Sequence, residues 1–185
     1  MKEYILTTER LGLRNWLPSD EAPFIEMCQD EAVMKHFPKV LAKEETLGLI
    51  GRLKAHFAEH GYCYFAVDIL ENDEFIGFTG FANQTWESDY TPCVDMGWRL
   101  KNTAWGKGYA TEAALGCFDA AYTKFGLAEV LAFATNTNTA SEQVMKKIGM
   151  DYIGNVQHPA ILNDNRFSHC VVYRASNLEK HTVRA

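Results

Sequence analysis

The segment 105–110, Trp-Gly-Lys-Gly-Tyr-Ala, has the residue types of an anion-binding loop. It follows a predicted strand and opens the best-defined predicted helix, and it holds no Ser, Thr, Asp or Asn that could cap that helix. The first main-chain N–H groups of the helix therefore lack partners. Because Gly106 and Gly108 let a ligand approach the backbone and Lys107 adds a positive charge, the pattern predicts a site for an anion such as a pyrophosphate.

Two common classes of phosphate-binding protein do not fit the rest of the chain. A dinucleotide-binding fold places an acidic residue at the end of the next strand, whereas the predicted strand 129–134 carries Glu129 at its start. The Walker pattern G-x-x-x-x-G-K-[ST] is absent from the sequence. The sequence thus disfavours hydride transfer and nucleotide hydrolysis. A simple tight turn between strand and helix stays open as an interpretation of the glycines alone.

A second motif, at residues 56–60, fits the pattern H-x-x-E-H. His56 and His60 would share a helix face and could bind zinc with Glu59 as a base, which makes a zinc metallopeptidase the alternative from another class. The pair, however, lies in the last turn before Gly61, where the helix dipole favours histidine. No third ligand motif follows, so we expect no metal.

Hydrophobic periodicity places these motifs on a chain of mixed α and β structure. Helix patterns begin near Pro18 and cover 44–60, 108–125 and 139–148. Strand patterns cover 62–70, 74–81, 91–100, 129–134, 150–154 and 168–173, and residues 6–16 are mostly extended. The T-x-x-E pattern at 139–142 predicts Thr139 as a helix N-cap. One face of the strand 91–100 is apolar, and its polar face carries Cys93, Asp95, Gly97 and Arg99.

Composition narrows the class of protein. The 185 residues are 47% hydrophobic, which suffices for a buried core, and they fit one domain spanning 1–185 with a core of about 7–174. A net charge of −6 disfavours nucleic acid as a partner. Five widely spaced cysteines without a C-x-x-C indicate a reducing compartment, and no apolar run is long enough to span a membrane. We therefore expect a cytoplasmic protein that binds neither nucleic acid nor membrane.

Four ordered segments together resemble the GNAT N-acetyltransferases, and among them the RimJ/RimL type that acetylates the N-termini of ribosomal proteins. The run 105–113 resembles their acetyl-CoA pyrophosphate loop, Q/R-x-x-G-x-G/A, with Thr103 at the position of the Gln or Arg. The other segments are 8–14 (TERLGLR), 95–100 (DMGWRL), and 138–141 (NTAS) followed by 147–150 (KIGM). The resemblance spans about residues 7–174, nearly the whole chain.

The resemblance implies a fold and a cofactor. The fold is the GNAT fold, an α/β (α+β) architecture with a mixed, mostly antiparallel sheet of about seven strands, splayed at the cofactor site and flanked by helices. The co-substrate is acetyl-CoA, whose pantetheine arm would lie along the strand at Trp98, Arg99 and Leu100. Its pyrophosphate would bind the loop residues Trp105, Gly106, Lys107, Gly108, Tyr109 and Ala110. Gly97 would mark a bulge, a close backbone approach or simple packing.

The resemblance also assigns two residues near the reacting sulfur. Asn138 would hold the pantetheine amide, and Ser141 would act as hydrogen-bond donor or general acid to the departing thiolate. Acetyl transfer further needs an acceptor for the amine proton. We predict Asp95 for this role, directly or through water. The alternatives are Glu87, Asp89, Asp164 and His169.

The expected reaction is direct transfer of an acetyl group from acetyl-CoA to a primary amine in a ternary complex. The amine is a protein N-terminus or a small molecule, and the enzyme is a monomer or a homodimer. The acidic loop 86–89 could attract an ammonium group, and His158, Pro159 and residues 163–165 could shape the acceptor site. A non-catalytic acyl-CoA-binding module is a third interpretation of the same loop.

Overall fold

The computed structural model describes residues 2–159, 164 and 167–176. Its helices are α1 (Glu21–Gln29), α2 (Glu31–Met34), α3 (Lys43–His60), α4 (Tyr109–Phe125) and α5 (Thr139–Lys147). Its strands are β1 (Leu6–Thr7), β2 (Leu11–Arg14), β3 (Tyr64–Ile69), β4 (Glu74–Gln84), β5 (Cys93–Leu100), β6 (Glu129–Thr135), β7 (Asp151–Gln157) and β8 (His169–Ser176). These strands form one sheet in the order β1-β2-β3-β4-β5-β6-β8-β7.

The predicted mixed sheet flanked by helices is confirmed, with two differences. The sheet has eight strands among the described residues rather than about seven. The reason is that the extended segment 6–16 divides into β1 and β2, which pair with each other at Leu6 and Leu13. The helix predicted near Pro18 begins with a single 3-10 turn, and α1 proper starts at Glu21.

One pair of neighbouring strands is parallel, and it creates the feature that matters for function. All other neighbours are antiparallel, whereas β5 and β6 run in the same direction, joined by the crossover helix α4. The two strands pair only at Asp95 and Leu131. Toward their carboxyl ends the described residues of the two strands do not pair, and we call this unpaired stretch in the middle of the sheet the opening.

Small residues let α4 pack closely on the sheet. Its inner face includes Ala113, Ala114 and Ala121, which are fully buried. At its C-terminal end Phe125 stacks on Phe65 of β3, with ring centroids 5.8 Å apart, and Gly126 ends the helix at φ 68°. The position of the N-terminus of α4, directly after β5, is fixed by this packing.

All five cysteines are free, and four of them are buried. The buried thiols pack as small hydrophobic side chains. No described helix is both long and apolar enough to span a membrane.

Candidate active site at the opening between β5 and β6

The opening leaves main-chain groups of β5 without strand partners. The Lys101 N–H group donates to the Ile76 carbonyl of β4 at 2.9 Å. Because hydrogen bonding alternates along an antiparallel ladder, the main-chain groups of Trp98 and Leu100 point away from β4 and toward β6. Pairing with β6 stops at Asp95, so no described strand residue accepts from the Trp98 N–H group. The edge of β5 thus offers a donor to an extended ligand at Trp98, whereas the main-chain groups of Arg99, which was predicted to contact the same ligand, face β4.

The loop after β5 presents further free donors. Gly106 and Gly108 both adopt left-handed conformations, with φ 73° and 81°, and Gly108 is the N-cap of α4 without a side-chain cap. Within the described residues nothing accepts from the N–H groups of Tyr109 and Ala110. A Cβ atom added at Gly106 would meet nothing within 4 Å, and one at Gly108 would meet only Arg10, at 3.5 Å. The space above the loop is therefore open, which fits an anion on the helix N-terminus.

Arg10 and Glu112 support this loop, and the sequence did not indicate their role. Arg10 donates from Nε to the Glu112 carboxylate at 2.6 Å and from Nη1 to the Lys107 carbonyl at 3.1 Å. The Thr8 hydroxyl donates to the same carboxylate at 2.6 Å. The segment 8–14 thereby ties β2 to the first turn of α4 and holds the loop in shape.

Asn138 caps α5, so the prediction of Thr139 as N-cap is wrong. The Oδ1 atom of Asn138 accepts from the Ser141 N–H group at 3.1 Å. Glu142, which would have completed the capping box with Thr139, instead accepts from the Tyr173 hydroxyl at 2.7 Å. Asparagine is the better cap of the two adjacent residues, and Tyr173 competes for Glu142. The cap uses Oδ1 of Asn138 and leaves its NH₂ group for a ligand.

Ser141 lies in the first turn of α5, half-buried. Its hydroxyl has no hydrogen-bond partner among the described residues. Since β5 and β6 are parallel neighbours, their carboxyl ends meet at one edge of the sheet. The loop 105–110 after β5, the start of α5 after β6 and the opening between the strands therefore lie at the same edge.

Asp95 lies at the closed end of the opening. Its Oδ2 atom accepts from the Tyr64 hydroxyl and, at 3.4 Å, from Gln84. Its Oδ1 atom is buried and makes no hydrogen bond of normal geometry with any described residue. Burial raises the pKa of Asp95 to about 6, and the bonds from Tyr64 and Gln84, with the Phe133 main chain, limit the rise. The predicted polar face of β5 is thus half-buried, and the Oδ1 atom of Asp95 lies in its buried part.

Tyr64 was missed by the sequence reasoning. Burial raises the pKa of its hydroxyl well above the ordinary value, and the charge of Asp95 adds to the effect, so Tyr64 donates to the carboxylate as a neutral phenol. Its ring lies over Gly97, where an added Cβ atom would meet it at 3.1 Å. Gly97 is therefore a packing glycine, and the β4–β5 register continues through it without a bulge. The two partners are 31 residues apart, and no local pattern links them.

The alternative proton acceptors have different surroundings. Glu87 and Asp89 are exposed on the loop between β4 and β5, and His169 is exposed at the start of β8. Asp164 is half-buried, and its carbonyl accepts from the Phe167 N–H group at 3.0 Å. The three exposed side chains face solvent, unlike that of Asp95, whose Oδ1 atom is buried.

Aromatic contacts link the acidic loop 86–89 to β6, the strand that pairs with β5 at Asp95. Trp86 packs on His158, with ring centroids 4.7 Å apart, and on Phe133 of β6 at 5.3 Å. Burial lowers the pKa of His158. Of the predicted acceptor-site residues 163–165, only Asp164 is among the described residues.

The histidines of the H-x-x-E-H motif are engaged in hydrogen bonds. Nδ1 of His56 bonds the Tyr62 carbonyl at 2.8 Å, and its Nε2 accepts from the Asn83 N–H group at 3.0 Å. His60 stacks on Tyr62 at 5.8 Å, and Glu59 is exposed. These contacts account for the pair without a ligand. The described part of the chain has no group of three or more His, Cys, Asp or Glu residues that could hold a metal ion.

Comparison with known sequences assigns the family. Residues 10–151 match the family described as "Acetyltransferase (GNAT) domain". A curated relative, the uncharacterized N-acetyltransferase YnaD of Bacillus subtilis, is 31% identical over 146 residues, which cover 78% of this chain and 81% of the relative. The chain therefore belongs to the GNAT acetyltransferase family and is an acyltransferase.

Solved structures share the fold. A GNAT-family acetyltransferase from Bacillus anthracis superposes with a TM-score of 0.76 at 24% identity, over 93% of this chain and 98% of that one. A RimL ribosomal-protein α-N-acetyltransferase in complex with coenzyme A superposes with a TM-score of 0.74 at 16% identity, over 94% and 98%. At these identities the likeness concerns the fold, and the RimL type is one neighbour among several.

Proposed function

We propose that this acyltransferase moves an acetyl group from acetyl-CoA directly to a primary amine bound in the same complex. The observation that carries the proposal is the opening beyond Asp95, where β5 and β6 stop pairing. Free N–H groups lie on its β5 edge and at the N-terminus of α4, and a half-buried carboxylate with a buried Oδ1 atom lies at its closed end. The groups that we propose to bind the acetyl donor and to accept the amine proton therefore lie at one edge of the sheet.

The residues present fit acetyl-CoA. The N–H groups of Tyr109 and Ala110, with Lys107 beside them, would bind the pyrophosphate, and the open space over Gly106 and Gly108 admits it. The Trp98 N–H group would bond the pantetheine arm, and the NH₂ group of Asn138 would bond one of its amides. When bound, acetyl-CoA supplies the acetyl group as a thioester, an acyl donor activated toward amines.

Asp95 is our candidate for the acceptor of the amine proton. With a pKa of about 6 it is mostly ionised at neutral pH, yet it is more basic than an exposed aspartate. Its Oδ1 atom, which makes no hydrogen bond of normal geometry with the described residues, can accept the proton while Tyr64 holds Oδ2. As the nitrogen–carbon bond forms, the amine loses a proton to Asp95, directly or through one water.

Ser141 is our candidate for the proton donor. The carbon–sulfur bond breaks as the new bond forms, and the thiolate must be protonated or hydrogen-bonded. The free hydroxyl of Ser141 lies at the N-terminal end of α5, where the helix dipole favours negative charge. The proton that it gives up returns from solvent after release of coenzyme A.

The acceptor is a primary amine, either the α-amine of a protein or a small molecule, and we place the reaction in the cytoplasm, as the free cysteines favour. Release of coenzyme A from acetyl-CoA should be measured with a panel of amines and N-terminal peptides, with mass spectrometry of the products. We expect stoichiometric acetylated amine, with release in the absence of amine near the chemical background. Acetyl-CoA binding without turnover would indicate an acyl-CoA-binding module, and zinc-dependent peptide cleavage would indicate a metallopeptidase.

A further inference from the structure

Arg99 of β5 is a half-buried cation whose hydrogen-bond donors are largely unfilled by the described residues. Its Nε atom is buried and has no partner among the described residues. Nη1 makes one long contact, 3.6 Å to the sulfur of Cys28. No described carboxylate lies within ion-pair distance of the guanidinium. A guanidinium carries five N–H donors, so most of this set is available.

Two aromatic rings hold the guanidinium in place. It lies 4.0 Å from the ring centroid of Phe37, on the segment between α2 and α3, and 5.4 Å from that of Phe78 on β4. Ring faces stabilise the cation but accept none of its in-plane N–H groups. Burial lowers the pKa of Arg99, and Cys28 and Tyr64 offset this only in part. The side chain is thus oriented without being neutralised.

The placement of Arg99 links it to the proposed proton acceptor. Asp95 and Arg99 project from the same face of β5, with Gly97 between them and the Tyr64 ring over that glycine. Four residues of strand separate their Cα atoms by roughly 13 Å. On this face a bound molecule can reach both side chains if it extends over several bonds.

We propose that Arg99 binds a carboxylate of the acceptor, so that the substrates are primary amines that also carry a carboxylate group. The planar fork of arginine matches a carboxylate with two parallel hydrogen bonds. A monoanion also balances the single charge of the guanidinium. The inference rests on the proposed function, since it takes the amine of the same molecule to deliver its proton to Asp95.

Pairs of acceptors that differ only in the charge of the acid test the inference. The probes are β-alanine, γ-aminobutyrate and glycylglycine, each compared with its carboxamide, and the readout is kcat/KM for acetylation. For at least one of the three probe lengths, kcat/KM of the wild-type protein should be about 10²-fold higher for the acid than for the amide, the scale of a buried charge pair. Equal use of acid and amide at every length would overturn the inference, while acetylation of any probe would still support the proposed function.

Variants then assign the preference to Arg99. In Arg99→Met the ratio of kcat/KM for the acid to kcat/KM for the amide should fall to about one. Arg99→Lys should retain part of the preference for the acid, because lysine keeps the charge but lacks the planar fork. Arg52→Met, at an exposed arginine of α3, is the matched control and should keep the wild-type ratio. An unchanged ratio in Arg99→Met would overturn the inference. Loss of acetyl-CoA affinity in that variant would do so as well, because the guanidinium would then serve the cofactor.

Calorimetry with the same acids, in the presence of coenzyme A, separates this inference from the proposed function. We expect carboxylate-dependent binding that disappears in Arg99→Met, whether or not turnover occurs. If neither binding nor turnover distinguishes acid from amide, the inference is wrong.

Discussion

Two arginines of the sheet, the buried Arg14 on β2 and the half-buried Arg99 on β5, differ in how far their hydrogen-bond donors are filled. Arg14 donates to Asp68 from Nε and Nη2, both at 2.7 Å, and to Asp20 from Nη1 and Nη2, at 2.6 and 2.8 Å. A fifth bond, at 3.2 Å, goes from Nη1 to the Asn15 carbonyl. All five donors of Arg14 are therefore used within the protein, whereas Arg99 has one long contact to a sulfur atom among the described residues.

The pKa values of the two arginines move in opposite directions. Burial lowers the pKa of Arg14, but the hydrogen bonds and charges of Asp20 and Asp68 outweigh it, so the pKa lies above its ordinary value. For Arg99 burial dominates and the pKa is lowered. Removing one partner from a buried, fully bonded charge cluster is costly because the other charges lose their partner, whereas a charge with unfilled bonds costs stability and is available to a ligand. By this criterion the Arg14 cluster is structural, whereas Asp95 and Arg99 are our candidates for the active site.

The largest expected effect is on stability, in Arg14→Met. The change leaves the carboxylates of Asp20 and Asp68 buried together with only Lys2, 2.8 Å from Asp68, as a remaining cation, so the free energy of unfolding should fall by about 3–5 kcal/mol. Arg99→Met should change it by less than about 1 kcal/mol, because a methionine replaces a charge that has no carboxylate partner among the described residues. Urea denaturation of both variants measures the difference. Equal losses would contradict the distinction between the two clusters.

Asp95→Asn should separate activity from stability. The variant keeps the shape of the side chain but cannot take a proton, so kcat/KM should fall by about 10²–10⁴-fold. The raised pKa of Asp95 means that the folded protein binds this proton more tightly than the unfolded chain does. Ionised Asp95 therefore lowers stability as pH rises through about 4 to 6, and the neutral amide should raise Tm at pH 7. A fall in Tm would indicate a structural carboxylate like those around Arg14.

Gly108→Val tests the loop at the N-terminus of α4. Valine at φ 81° is strained, and its side chain would occupy the space over the free N–H groups. Loss of charge-assisted bonds should weaken acetyl-CoA binding by about 10²–10³-fold. Gly126→Val is the matched control, because Gly126 adopts φ 68° at the other end of the same helix. Gly126→Val should cause similar strain but leave the affinity for acetyl-CoA, measured by calorimetry, unchanged. Equal losses of affinity in the two variants would indicate that the loop has only a structural role.

Ser141→Ala should have the smallest effect of the series. The Ser141 N–H group, which Asn138 caps, is retained in alanine, so Tm should hardly change. Loss of the hydroxyl should lower kcat by up to roughly 10²-fold with little change in the Kd of acetyl-CoA. Thr139→Ala is the matched control, because it removes a hydroxyl two residues away that does not cap the helix. If kcat and Kd are both unchanged in Ser141→Ala, the proton comes from another group.

Local patterns predicted much of this molecule. The helices, the strands and the uncapped glycine loop at 106–108 follow from periodicity and from a missing cap, both of which are readable within a few residues. The prediction of Thr139 as the N-cap of α5 failed because Asn138 and Thr139 are adjacent and both residue types can cap a helix. The bond of Glu142 to Tyr173, 31 residues away, decides between them. That contact is tertiary and leaves no local signal.

The surroundings of the candidate site could not be predicted from the sequence, because they too depend on tertiary contacts. Tyr64 meets Asp95 only because β3, β4 and β5 are neighbours in the sheet, and Arg10 meets Glu112 across 102 residues. The alternation along β5 predicted which side chains share a face. It could not predict that Phe37, from the segment between α2 and α3, covers Arg99 on that face.

The central claim, that Asp95 takes the amine proton, is tested most directly by the pH dependence of wild-type kcat/KM, expressed per concentration of unprotonated amine. Only ionised Asp95 can accept a proton, so log(kcat/KM) should rise with unit slope at low pH and level off above about 6. The Tyr64→Phe variant should move this inflection to higher pH, because the Tyr64 hydrogen bond lowers the pKa of Asp95. A profile without an inflection near pH 6, or one that persists in Asp95→Asn, would contradict the account.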